Sequence, residues 1–420
     1  MRSYDGRSVT HASASPSKSL VSPIATAPRF EILDGVRAVA FLAVFGFHFG
    51  LPVDPALAFG GVGFRIIPHL DLGVEIFFVL SGFLIFRPFA AANLVGSPLP
   101  RLRPYLVRRA LRIYPAYWVA LTVLLLAGEV KIHGGALRYF AHYSLVHTYL
   151  PEDLRYAFDG IGPAWSLVVE VSFYLLVPIL GAALRRASWS QHLVAIASLT
   201  AVGFLVRALT VAHPLNDKFG GWLKSTVGVL PLALAALGPG MALAVLSVAQ
   251  PQWATDMFRR VWMWWLVAVG GVVVLMVIAP TSVDNQFRVP TSSVELWHRM
   301  ITPVIAVALI GPCVFGDAGR SVLFKILRHR SLVAVGIVSY GAYLWHHPLL
   351  LNSPGDLVHL DYRDLDGRSM WLVSALFVVF LAMTLVVAMM SWLGVEKPAQ
   401  RLAQRLARRW AALGTSRRAG

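Results

Sequence analysis

The chain has 420 residues, of which 57% are hydrophobic and only 14% charged, with a net charge of +16 and a mean hydropathy of +0.65. A soluble domain usually carries about 25% charged residues, so this composition excludes an ordinary soluble enzyme and indicates a polytopic membrane protein. The positive balance does not point to nucleic acid, because it sorts by side: with the N-terminus inside, 25 of the 37 Lys and Arg fall in inner segments and 10 in outer ones. That asymmetry sets an N-in, C-in orientation and contact with anionic lipid.

Residues 1–30, rich in Ser, Ala, Pro and basic residues, read as a disordered cytoplasmic tail rather than a cleaved signal. A transmembrane domain over 31–398 is expected to be an all-α bundle of about ten spans, near residues 34–51, 71–90, 113–129, 162–184, 192–212, 226–247, 262–280, 300–316, 332–351 and 371–394. The first span carries Arg37 and His48. Eleven residues make about three turns, so both side chains share a face, about 16 Å apart along the axis. Ionisable groups at membrane depth normally face a bundle interior, a partner or water, and two on one face suggest a polar path. An interfacial, snorkelling Arg beside a hydrogen-bonded core His is the simpler alternative. The second span offers Glu75 near its outer end and Ser81-Gly82, which permits close helix approach. Arg108, Arg109 and Arg112 are expected to begin the third helix at the cytoplasmic surface. Their forks suit phosphate, and equally an inner-surface anchor.

Gly162-Pro163 starts the fourth span, with Ser166, Glu170 and Tyr174 on one face by i,i+4 spacing and Trp165 beside them. The sixth span is interrupted by Pro231, Gly238, Pro239 and Gly240 and is expected to be broken or re-entrant. One cysteine, Cys313, allows no intramolecular disulfide. The ninth span holds Tyr340, Tyr343, Trp345 and His346 ahead of Pro348, with an aromatic belt as the alternative reading of its rings. The tenth ends at Glu396-Lys397-Pro398, a cytoplasmic stop. Residues 399–420 follow as a basic amphipathic tail, with Arg401, Arg405, Arg408 and Arg409 beside Leu402, Leu406 and Trp410. On this topology His48, His346, Glu75 and Glu170 share the outer half of the membrane at similar heights, and the arginines lie on the cytoplasmic side. No His pair has closed-site metal spacing, so no metal is expected.

These motifs resemble, in order, those of acyltransferase family 3. They are Arg37-x10-His48, the run Gly73–Gly82, Arg108-Arg109-x-x-Arg112-Ile113-x-Pro115, Trp165-Ser166-Leu167-x-Val169-Glu170 with Phe173-Tyr174, Ser339-Tyr340-x-x-Tyr343-Leu344-Trp345-His346-x-Pro348, and Glu396-x-Pro398. The match covers residues 31–398. Glu75 stands where the family commonly has Asp, Val168 where Ser is usual, and Val171-Ser172 where Glu-Gln often follows. No esterase-like domain is expected after the tenth span.

The resemblance implies a multi-pass enzyme of the bacterial cytoplasmic membrane. It would move a short acyl group, acetyl by default, from cytoplasmic acyl-CoA to a hydroxyl of a surface polysaccharide, a glycolipid or a macrolide-type product, with no permanently bound cofactor and no nucleic-acid partner. His48 would be the general base, Glu170 would orient it or the acceptor, and His346 would donate to the oxyanion. Arg37, Arg108, Arg109 and Arg112 would hold CoA phosphates. Glu75, Ser81, Trp165, Ser166, Tyr174, Tyr340, Tyr343 and Trp345 would bind or orient substrate. Direct transfer and an acyl-His48 intermediate both fit. The same buried His and Glu residues would also serve a proton-coupled transporter or flippase.

Overall fold

The computed structural model describes residues 31–50, 65–150, 159–212, 229–278, 292–316, 321–351 and 370–416. The expected 1–30 tail lies outside them. Among the described residues every regular element is a helix. In chain order they are α1 (Glu31–Gly50), α2 (Leu72–Val95), α3 (Leu102–Leu126), the short α4 (Ala136–Tyr143), α5 (Trp165–Ala183), α6 (Trp189–Ala212) and α7 (Leu230–Ala249). Then come α8 (Gln252–Arg259), α9 (Val261–Ile278), α10 (Ser292–Phe315), α11 (Val322–Leu327), α12 (Arg330–Leu351), α13 (Met370–Ser391), a π-helical turn (Trp392–Glu396) and α14 (Lys397–Ser416). The chain is therefore a multi-pass, all-α membrane bundle.

Nine helices among the described residues are long and apolar enough to cross a membrane. The expected ninth span is present as α12 but is not one of the nine, because Ser339, Tyr340, Tyr343, His346 and His347 lower its hydropathy. The span that carries the densest motif thus has its hydropathy diluted by that motif.

Two packed groups build the bundle. In the first, α1, α12 and α13 bury Phe41, Phe45, Phe49, Val338, Ala342, Leu350 and Phe380 against one another. The approach of Gly336 to Asp34 makes α1 and α12 parallel neighbours, and that of Gly341 to Ala388 brings α13 back toward the end where α1 begins. In the second group, α2 crosses α7 almost backbone to backbone. A Cβ on Gly82 would lie 2.2 Å from the Leu237 carbonyl oxygen, and one on Gly240 would lie 2.1 Å from that of Val79. This explains the Gly/Pro-rich sixth span, and it corrects the expectation of a break. α7 is continuous, and its glycines serve helix contact, the usual role of small residues where lipid supplies no hydrophobic driving force.

Two boundaries also differ from expectation. α3 begins at Leu102, about three turns before residue 113, because hydropathy marks only the apolar part of a helix whose first turns carry arginines. At the other end the helix does not break at Glu396-Lys397-Pro398. The helix passes through the π turn, and Lys397 donates its backbone N–H to the Trp392 carbonyl five residues back. The wider turn directly precedes Pro398, whose ring would crowd the carbonyl four residues back in a regular helix. α14 then packs along the start of α3, where Arg101 donates to the Trp410 carbonyl and Arg103 stacks 4.7 Å from the Trp410 indole.

Candidate active site

A cavity of about 670 Å³ of atom-free space, part of it open, lies between α1, α2, α3, α5 and α12. Its apolar wall includes Phe77 and Phe78 of α2, and its polar lining includes Arg37, Ser81, Arg112, Ser166, Glu170, Ser339, Tyr340 and Tyr343. Seven of the residues singled out from sequence thus share one cavity. Trp165 stands beside it, its ring 6.1 Å from that of Phe78.

The inner part of the cavity is a charge cluster. Arg37 pairs with Asp34 one turn earlier at 3.1 Å, and Arg37 and Arg112 both lie within electrostatic reach of Glu170. The Tyr174 hydroxyl donates to Glu170 Oε1 at 2.5 Å, as their i,i+4 spacing predicts. The Tyr340 hydroxyl donates to the Ile113 carbonyl at 2.8 Å, which ties α12 to α3 beside Arg112.

At the other end, Ser166 Oγ and the Tyr343 hydroxyl lie 2.9 Å apart and both reach the Pro163 carbonyl. The Tyr343 ring is 5.6 Å from that of fully buried His346. His346 Nδ1 lies 2.8 Å from the Tyr343 carbonyl, and its Nε2 lies 3.2 Å from His48 Nδ1. His48 Nδ1 also faces the Val44 carbonyl at 2.9 Å.

A carbonyl only accepts, so the neutral tautomers follow from the bonds. His346 donates through Nδ1 and accepts at Nε2. His48 then donates through Nδ1, which leaves the lone pair on its Nε2. Since both nitrogens of His346 are engaged, its expected donation to an oxyanion has no free N–H.

Other predicted residues lie elsewhere. Arg108 is exposed, and Arg109 sits over the Tyr105 and Tyr174 rings at 5.8 and 5.4 Å, so Arg112 alone of the three lines the cavity. Glu75 is paired at 2.8 Å with Arg207 of α6. Trp345 Nε1 is buried without a hydrogen-bond partner among the described residues. The expected common layer of His48, His346, Glu75 and Glu170 is therefore divided among three settings.

Sequence reading missed Asp34, Ser339, His347 and Arg207. His347 lies 5.0 Å from His48, ring to ring. Asp34 announces itself by i,i+3 spacing to Arg37, and Arg207 by being an arginine inside a span, which requires a partner. Among the described residues no group of three His, Cys, Asp or Glu is placed to hold a metal ion.

The bundle thus holds one cavity lined by Arg37, Arg112 and Glu170, with the His48–His346 pair packed behind the lining Tyr343. The chain belongs to acyltransferase family 3: the family model, described as an acyltransferase domain, matches residues 30–393. It is similar to nodulation protein 10 of Rhizobium leguminosarum, at 25% identity over 79% of this chain and 82% of the relative. It is also similar to the peptidoglycan O-acetyltransferase OatA of Listeria monocytogenes, at 24% identity over 87% of this chain. OatA of Staphylococcus aureus matches at 23% over 76% of this chain. The match covers 55% and 50% of these two OatA proteins, about half their length. No solved structure matches the chain.

Proposed function

We propose that this protein is an O-acyltransferase of a bacterial cytoplasmic membrane. It moves a short acyl group, acetyl by default, from cytoplasmic acyl-CoA to a hydroxyl of a sugar-containing acceptor. Family membership and the O-acetyltransferase relatives support the reaction class. The observation that carries the residue assignment is the His48–His346 pair, packed behind the cavity-lining Tyr343, whose bonds leave His48 Nε2 as a proton acceptor.

His48 Nε2 takes the acceptor's hydroxyl proton as the oxygen attacks the thioester carbonyl. The tetrahedral intermediate collapses to the ester and expels the CoA thiolate, and the imidazolium returns the proton to that sulfur. No acyl-enzyme is required. His346 acts through His48, fixing its tautomer and ring orientation. Arg37 and Arg112 present their guanidinium groups to the anionic donor inside the cavity, with Arg108 and Arg109 toward the start of α3 as further phosphate contacts. Glu170, held by Tyr174, orients the acceptor and balances the two arginines. Ser81, Trp165, Ser166, Tyr340 and Tyr343 shape the cavity around the acyl group.

The test is detergent-purified protein with labelled acetyl-CoA and a panel of hydroxylated sugars and macrolides, beside a folded His48→Ala variant. Transfer, or slow thioester hydrolysis, that disappears in the variant supports the assignment. Absence of CoA release with every short-chain donor and acceptor would remove it and favour a proton-coupled transporter.

A further inference from the structure

The π turn at Trp392–Glu396 places a buried acid that the mechanism above does not use. π turns are inserted widenings of a helix and recur at functional sites. Glu396 is 2% exposed, although none of the five residues that follow it on the helix is buried. Its Oε1 accepts from Ser391 Oγ at 3.2 Å and lies against α12 at Gly341, where a Cβ would come within 2.7 Å of that oxygen. The neighbour of Gly341 is Tyr340, which lines the cavity and bonds the carbonyl of Ile113. Arg112 and Tyr340 are both electrostatic neighbours of Glu396. The turn therefore joins three helices at the point where α3 delivers Arg112 to the cavity.

We infer that Glu396 is a positioning residue, held by the π turn, that fixes the Arg112 guanidinium in its donor-facing orientation. Two other carboxylates, Glu170 and Asp34, also lie within electrostatic reach of Arg112. A regular helix would lack the inserted residue, and the roughly 100° rotation per residue would turn Glu396 away from α12. The absence of a side chain at Gly341 is the matching feature on the facing helix. This inference rests on the acyl-CoA reading, since it concerns how Arg112 meets the donor.

Two explanations of Glu396 differ in sign. If it only adds negative charge near a site for a polyanion, Glu396→Gln tightens CoA binding. If it positions Arg112, the same change weakens binding, because a fork held out of register loses its charge-assisted hydrogen bonds.

The experiment is calorimetric titration of the purified full chain with CoA, with KM and kcat for acetyl-CoA and the thermal midpoint measured alongside. Expected are an approximately tenfold weaker Kd and higher KM in Glu396→Gln, a smaller change in kcat and an unchanged midpoint. Gly341→Ala keeps the charge but displaces the carboxylate, and should weaken Kd in the same direction. In an Arg112→Ala background Glu396→Gln should have no further effect, since the two act as one unit. Tighter or unchanged binding in Glu396→Gln, additivity with Arg112→Ala, or a lowered midpoint with unchanged Kd would overturn the role of Glu396. Absence of CoA binding by the unaltered protein would instead remove the acyl-CoA reading, and this inference with it.

Discussion

Arg207 and Arg112 are both arginines inside the bundle, and they differ in what their donors meet. All three nitrogens of Arg207 are engaged: Nε donates to the Leu232 carbonyl, Nη1 to that of Arg299 and Nη2 to Glu75, all within 2.9 Å. It joins α6, α7, α10 and α2 and does not line the cavity that Arg112 borders. Arg112 borders open space with Arg37 and shares its acids with that neighbour. Burial of a charge within a membrane protein thus marks either a fastener or a site, and whether its nitrogens are all engaged by the protein separates them. The histidine pairs make the same point. His48 and His346 are joined at 3.2 Å through ring nitrogens, whereas His142 and His147 stack face to face at 4.2 Å.

The sharpest break between site and fastener is at His48. His48→Ala should lower transfer by about 10²–10⁴-fold, the usual worth of a positioned base, with CoA binding by calorimetry nearly intact. His346→Phe should lower kcat by about tenfold to a hundredfold with donor KM unchanged, because it acts by orienting His48; stopped-assay kinetics check the split. Arg207→Leu should behave in the opposite way. Leaving Glu75 buried and unpaired costs about 3–5 kcal/mol, read as a lowered thermal midpoint, while turnover per folded molecule is kept. Loss of turnover at full stability in Arg207→Leu would move Arg207 from fastener to site.

The smallest effect concerns the stacked pair, which lies outside the spans. Burial holds His142 down to about 4 and His147 to about 3, against an ordinary value of about 6.5. Both rings are therefore neutral in the folded protein at pH 6, where an unfolded chain already binds protons. Their contribution to stability is complete above about pH 7 and declines as pH falls from about 6.5 toward 4. Trp118, which donates to the Tyr143 carbonyl at 2.8 Å, reports on this segment. Its fluorescence should change over that range, and His147→Phe should flatten the change.

Much of the site was legible because helical periodicity is local. Ser166, Glu170 and Tyr174 share a face by spacing alone, and Tyr340 and Tyr343 follow the same rule on α12. Hydropathy is weakest where function dilutes it: the His and Tyr residues lower that of α12, and α3 extends about three turns into its arginines, beyond the expected start. The Pro/Gly pattern of α7 was misread as a break because the residues that permit a close crossing are also those that interrupt helices.

The sequence by itself determined that the chain crosses a membrane many times, that its helices carry a few ionisable residues on shared faces, and that these match one acyltransferase family. The tertiary structure decided which charges meet. Glu75 finds Arg207 132 residues away, and His48 finds His346 298 residues away. Only there is it settled that Glu170 faces arginines rather than histidines, and that His346 spends both nitrogens on its neighbours. Hydropathy and period are properties of short windows, whereas satisfaction of a buried charge depends on helices brought together from distant parts of the chain.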